Sequence, residues 1–270
     1  KNKSKSLNKK KSKKELSTFT RQQDLMMLSG FFTWCDENNH RSKRLRVSTK
    51  WIKEVSTVID RDTRRTFFRI KDYDKLLSFS RGRIKETENE LWKWRREYLH
   101  QFIVFMCHSG LRTGEAYNLK WSDVTYEDKS KRSNQKYCEL NVTGKRGARK
   151  VYTKFGSYFA LKKIEELQKS YGVKNEKVFY FRFRKGLNYL LKDVGLKYQK
   201  YGDKDLVRDS KSFRSTYISW SLINGQNIDA IARNCGTSVK VIQDFYSKYI
   251  KVEEYKKDLI KINSVKTHIR

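Results

Sequence analysis

Between Thr87 and Ser109 apolar side chains recur every three or four residues: Leu91, Trp94, Tyr98, Leu99, Phe102, Ile103, Phe105 and Met106. This is the period of one face of an α-helix, and so aromatic a stripe has to be buried against other elements. Thr87 is placed to cap the start of that helix. Gly110 is placed to end it, since glycine accepts the left-handed turn that closes a helix. The chain must therefore build a core around one long helix, and the other segments are read for what they bring to it.

Shorter stripes lie on both sides. Phe19, Leu25, Leu28, Phe31, Phe32 and Trp34 mark a helix from Glu15 to about Asn39, with Ser17 or Thr18 as its cap. Trp51, Ile52, Val55 and Val58 mark another between Ser48 and Ile59, and Phe68 to Phe79 a third. Phe159, Leu161, Ile164 and Leu167 predict an amphipathic helix over residues 157–170. Phe179 to Leu191 reads as a strand entering a helix, and Lys192 to Arg208 as a polar, basic connection. From Lys211 to Tyr249 three more helical segments follow, the first with Phe213, Tyr217 and Trp220 on one face, broken at Gly225 and Gly236. Residues 137–153 alternate toward strand and break at Gly144-Lys145-Arg146-Gly147, a hairpin with a basic tip. The fold class is mainly α with a small antiparallel β-sheet (α+β). The divisions expected are a basic, disordered tail over 1–14, a partial helical module over 15–60, a linker over 61–67, a main domain over 68–250 and a C-terminal helix or tail over 251–270.

Charge points to the partner. Sixty-two Lys and Arg face thirty Asp and Glu, a net +32 that repels itself unless a polyanion is bound. Nucleic acid fits, through phosphate contacts and counterion release. The first fourteen residues carry eight lysines and no acid. The basic runs holding Arg41, Lys43, Arg44 and Arg46, and then Arg64 and Arg65, read as a DNA-facing loop and a linker. No apolar run approaches the roughly 18 residues that span a bilayer, so no membrane partner is expected. Cys35, Cys107, Cys138 and Cys235 are far apart, and with His40, His100, His108 and His268 they form no ligand spacing. Reduced thiols, no metal and no cofactor are expected, in the cytoplasm. Proline is absent altogether, and no function follows from that.

The candidate chemistry lies in three places. Lys211 and Arg214, three apart on one helix, can converge on a single anion. Tyr246 follows on the third segment, and a phenol brought near fixed cations can attack a phosphodiester, because the same cations stabilise phenolate and pentacoordinate phosphorus. Arg112 sits directly behind Gly110, with Thr113 placed to cap a new helix. It reads equally as a phosphate clamp or as the ion-pair partner of Glu115 or Asp123. Lys145 and Arg146 on the hairpin tip can reach into a groove, and Lys145 can donate a proton if neighbouring cations lower its pKa.

Two blocks then give a resemblance. Gly110-Leu111-Arg112-Thr113-Gly114-Glu115 through Leu119-Lys120-Trp121-Ser122-Asp123, and Ser212-Phe213-Arg214-Ser215-Thr216 followed by Gly236 and Tyr246, resemble the two arginine boxes of the tyrosine recombinases, the phage integrase family. The likeness covers residues from about 68 to 250, and residues 15–60 resemble the later helices of that family's core-binding domain. It implies that Arg112 and Arg214 grip the scissile phosphate, that Tyr246 is the nucleophile and that Lys145 is the proton donor to the departing 5′ oxygen. Glu115 matches the acidic residue supporting the site, and Lys211 stands where most members have His. Thr237 stands where they have His or Trp, a departure that bears on rate. Tyr249 is the neighbouring alternative nucleophile. The resemblance further implies double-stranded DNA with specific recombination sites as substrate, a tetramer of this chain on two sites, and accessory DNA-bending proteins. The C-terminal helix would dock on a neighbouring protomer or pack within its own. Rival readings are a DNA-binding relative with weakened catalysis, a type IB topoisomerase and a generic nucleic-acid coat.

Overall fold

The computed structural model describes residues 18–40, 66–128, 135–144, 147–201, 203–247, 250 and 252–255. The chain divides into two compact units, residues 1–62 and 63–270. In the first, the described residues form helix α1 (Thr18–Glu37), with Phe31 and Trp34 stacked at 6.5 Å and Trp34 over His40 at 4.9 Å. Cys35 is its buried apolar residue, whereas Met27, Phe31 and Trp34 are exposed. The segment expected between Ser48 and Ile59 lies outside the described residues.

The second unit is organised by α3 (Glu90–Ser109), preceded by α2 (Ile70–Lys85). Tyr98, Phe102, Ile103, Phe105 and Met106 are fully buried on α3, each contributing about 1.5–3 kcal/mol by removing its apolar surface from water. They pack chiefly on α5 (Phe155–Ser170), through Leu161, Ile164 and Leu167, and on α7 (Ser210–Ile223). Phe159, expected on the apolar face of α5, is exposed. Trp94 donates its indole N–H to the Leu167 carbonyl at 3.1 Å. The cap of α3 is Asn89, whose side chain accepts from the Trp92 N–H at 3.0 Å, and not Thr87. The Thr87 hydroxyl instead donates to the Arg83 carbonyl in the turn before the helix.

After α4 (Thr113–Asn118) comes a three-stranded antiparallel sheet, β1 (Val124–Glu127), β2 (Tyr137–Gly144) and β3 (Gly147–Tyr152), in the order β1-β2-β3. Leu140 sits opposite both Val124 and Val151, and Gly144 opposite Gly147. The strand expected from Phe179 does not form. Residues 179–183 are a loop whose rings surround α3, with Phe179 5.1 Å from Phe102 and Phe181 5.2 Å from Tyr98. Helix α6 (Arg184–Asp193) follows. The polar, basic connection from Lys192 to Arg208 holds a hairpin, β4 (Tyr198–Tyr201) with β5 (Lys204–Val207).

Three helices then close the unit: α7, α8 (Ile228–Cys235) and α9 (Val239–Phe245). The entering chain is fastened to α7. Phe68 stacks on Phe213 at 5.4 Å, its N–H donates to the Thr216 hydroxyl at 2.9 Å, and its carbonyl accepts from the Trp220 indole at 3.0 Å. Thr66 and Phe67, expected in a linker, are accordingly buried. Arg208, also buried, donates to the Phe67 carbonyl and the Asp72 carboxylate just ahead of α7. Past α9, residues 252–255 form a single 3-10 turn, and the rest of the expected C-terminal helix lies outside the described residues.

Candidate active site

Two helix ends meet here. Helix α3 closes at Gly110 (φ 68°) and α8 at Gly236 (φ 62°), both in the left-handed conformation. Each end leaves carbonyls without intrahelical donors and presents the negative pole of the helix dipole, so cations are favoured there. Arg214, buried on α7, donates from Nη1 to the Gly110 carbonyl at 2.8 Å and from Nη2 to the Cys235 carbonyl at 2.7 Å. Arg112 donates from Nη2 to the Gly236 carbonyl at 2.6 Å. The two guanidinium groups are thus held by the ends of two different helices.

Arg112, and not Thr113, is the N-cap of α4. Its Nη1 donates to Glu115 Oε1 at 2.9 Å, and its backbone N–H to Glu115 Oε2 at 2.9 Å. The ion-pair reading of Arg112 holds, since it is paired with Glu115, and its side chain, 37% exposed, still faces a cleft. A guanidinium has five N–H donors, so these bonds do not exhaust it. Glu115 is buried, which opposes its ionisation, but hydrogen bonds from Arg149 and Arg112 outweigh this and hold its carboxyl down to about 2.

The cleft is about 370 Å³ and is walled by Arg112, Thr113, Gly114, Lys211, Arg214, Ser215, Val241, Phe245 and Tyr246. Four of the residues named from the sequence, Arg112, Lys211, Arg214 and Tyr246, so come together from three separate segments. Lys211 is exposed on the first turn of α7, whose N-cap Asp209 accepts from its backbone N–H at 2.9 Å. Tyr246 follows the last turn of α9 and is half-buried, its N–H donating to the Ile242 carbonyl at 3.0 Å. Thr237 lies in the turn between α8 and α9, its N–H bonded to the Ala232 carbonyl at 2.9 Å, and is not in the cleft wall. Lys145, Arg146, Arg41, Lys43, Arg44, Arg46, Arg64, Arg65 and Tyr249 lie outside the described residues. A larger cavity, about 690 Å³, opens between α3 and α6 beside Trp92, Arg95, Phe181 and Tyr189, and none of the residues named for phosphate chemistry lines it.

One residue of this assembly, Arg149 on β3, is missed by a reading of the sequence alone. It makes a two-pronged ion pair with Glu115, Nη2 to Oε2 at 2.8 Å and Nη1 to Oε1 at 3.1 Å. The hairpin register holds the signal. With Gly144 opposite Gly147, Arg149 falls opposite Val142 on the buried face, where a charge requires a partner.

No protein-family model matches the chain. A probable integrase/recombinase of Acholeplasma phage L2 is 30% identical over 164 residues, covering 58% of this chain and 52% of that protein. The chain therefore spans about half the length of the curated relative it matches. Among solved structures, the XerH site-specific recombinase bound to palindromic difH substrate, a post-cleavage complex, superposes with a TM-score of 0.65 at 20% identity over 91% of this chain and 68% of that one. The Tn1549 transposon integrase in complex with transposon right end DNA gives a TM-score of 0.57 at 16% identity, covering 90% of this chain and 79% of that one. At such identities these likenesses speak for the fold, mostly helical with small antiparallel sheets. Among the described residues no helix is long and apolar enough to cross a membrane.

Proposed function

We propose that this chain, related in sequence to a phage integrase and sharing the fold of the tyrosine recombinases, is itself a site-specific DNA recombinase that works through a 3′-phosphotyrosyl intermediate. One observation carries this: Arg112, Lys211, Arg214 and Tyr246 wall a single cleft, and both guanidinium groups are oriented by helix-end carbonyls. In this reading the Tyr246 oxygen attacks the scissile phosphorus and gives up its proton to solvent water, and the bond to the 5′ oxygen breaks. Arg112 and Arg214 offset the charge that builds on the non-bridging oxygens, where preorganised donors matter most. Lys145 gives a proton to the departing 5′ oxygen. The tyrosyl ester preserves the energy of the broken bond, so a 5′ hydroxyl from another strand can reverse the attack without a nucleotide cofactor. Exchange of two strand pairs would occur in a tetramer on two sites, aided by accessory DNA-bending proteins, in the cytoplasm of the cell that hosts the element.

A second reading, a DNA-binding relative with weakened catalysis, is favoured by Thr237, which stands outside the cleft wall. Nicked suicide duplexes made from the sites the protein cuts separate the two. A covalent protein–DNA adduct that Tyr246→Phe abolishes and Tyr249→Phe leaves in place is the expected result. Tight binding with no adduct would overturn the catalytic reading, and relaxation of any supercoiled plasmid regardless of sequence would favour a topoisomerase.

A further inference from the structure

Glu115 poses an electrostatic problem for a phosphate clamp. Its carboxylate is 5% exposed and takes two hydrogen bonds from Arg112, one of them from the guanidinium that faces the cleft. Taken alone, that pair is neutral, and a neutral pair attracts a phosphate far less than a free cation does. Arg149 changes the balance. It binds both carboxylate oxygens without itself lining the cleft, and its Nε is anchored on the Asn234 carbonyl at 3.1 Å. Three groups then carry one net positive charge, and Arg112 is the member that reaches the cleft wall.

The surrounding backbone has been cleared for this arrangement. A Cβ on Gly144 would lie 2.5 Å from Glu115 Oε1. One on Gly236 would lie 2.8 Å from the Arg149 guanidinium carbon, and the Gly236 carbonyl is the same one that receives Arg112. The circuit thus runs from β3 through α4 to the end of α8 with no room for a side chain at either crossing.

We propose that Arg149 is a positioning residue for strand cleavage: by taking up the Glu115 carboxylate, it leaves Arg112 oriented and cationic toward the scissile phosphate. This rests on the recombinase reading above. It makes a demand that a purely structural role does not, because Arg149 then matters only as far as the phosphate is charged.

The test uses the full chain, the nicked suicide duplex at the wild-type cut site, and the same duplex with a neutral methylphosphonate at the scissile position. Single-turnover adduct formation is measured at saturating DNA for wild type, Arg149→Met and Arg149→Lys. On the phosphate, Arg149→Met is expected to slow adduct formation by about 100-fold, the scale of a misplaced reacting group. Arg149→Lys restores the charge but not the fork and falls between. On the methylphosphonate each variant comes within a few-fold of wild type. An equal deficit on both substrates, or none on the phosphate, overturns the proposal. If Arg149→Met does not fold, the Arg149→Lys pair of measurements decides the matter. An adduct from wild type with unaltered variants sinks this inference alone, whereas no adduct from wild type sinks the recombinase reading and this inference together.

Discussion

The site predicts its own sensitivity to a single methyl group at Gly110. This residue ends α3 at φ 68°, and an added Cβ would stand 2.5 Å from Tyr217 Cδ1 and 2.8 Å from Cε1. Gly172 is the natural control: its φ is 62°, and nothing lies within 4 Å of its Cβ position. Alanine in the left-handed region costs roughly 1–2 kcal/mol, partly offset by about 0.4–1 kcal/mol from the stiffer unfolded chain. Gly172→Ala should therefore destabilise by roughly 0–1.6 kcal/mol. Gly110→Ala adds overpacking against a ring that is itself buried, about 1–3 kcal/mol more. The expected difference between the two variants is roughly 1–3 kcal/mol, read as the shift in urea midpoint under identical conditions, so that effects common to the chain cancel. Function should follow, because the Gly110 carbonyl receives Arg214 at 2.8 Å. Adduct formation by Gly110→Ala should fall, and that by Gly172→Ala should not. Equal midpoints together with equal cleavage would refute both the crowding at the end of α3 and its coupling to Arg214.

Acid and salt give two further tests. Burial, with Arg81 near His100 and Lys154 near His108, pushes both imidazoles down to about 4 from an ordinary 6.5, while Glu115 is held down to about 2. All three are depressed, so the unfolded chain takes up their protons first: stability is fully present above about pH 6.5, falls as the histidines pass toward 4, and falls again as Glu115 passes from 4.5 toward 2. Urea midpoints collected from pH 8 to pH 3 should trace those steps, and a flat profile would count against the buried imidazoles. For DNA, every phosphate that a basic side chain neutralises adds about 0.9 to the steepness of log Kobs against log salt. Replacing Lys43 and Arg44 together by alanine should therefore reduce that slope by about 1.8 in anisotropy titrations with a random-sequence duplex. An unchanged slope would take the 41–46 run off the DNA.

The helical skeleton is legible in the sequence because its apolar groups repeat at the helical period, as in Tyr98, Phe102 and Met106, and because Gly110 and Gly236 have few other uses in such places. Local chemistry sets the limits. Thr87 and Asn89 are both good caps, and the choice falls to Asn89 because the Thr87 hydroxyl is engaged by the preceding turn. The aromatic run from Phe179 looks like strand because propensity cannot distinguish a pleated surface from a loop lining a core. Strands β1, β4 and β5 have four residues each, too short for alternation to register. Of the site, Arg112, Lys211, Arg214 and Tyr246 can be named because each sits in a local pattern. Arg149 cannot be read in that way, since its partners Glu115 and Asn234 lie 34 and 85 residues away and only the fold brings them near.

Arg112 and Arg214 are held more firmly than Tyr246, and the difference suits the proposed chemistry. Arg214 is 6% exposed with two helix-end acceptors, and Arg112 is fixed by Gly236 and Glu115, so the cradle proposed for a phosphate is assembled when the protein folds. Little reorganisation is then left for the reaction itself. Tyr246 instead follows a helix of seven residues whose buried residue is Ile242. So short a helix has little stability of its own and depends on that packing. The proposed strand exchange would call for this inequality: the arginines would meet every incoming phosphate in one geometry, while the tyrosine would carry a DNA end and then release it to a different strand.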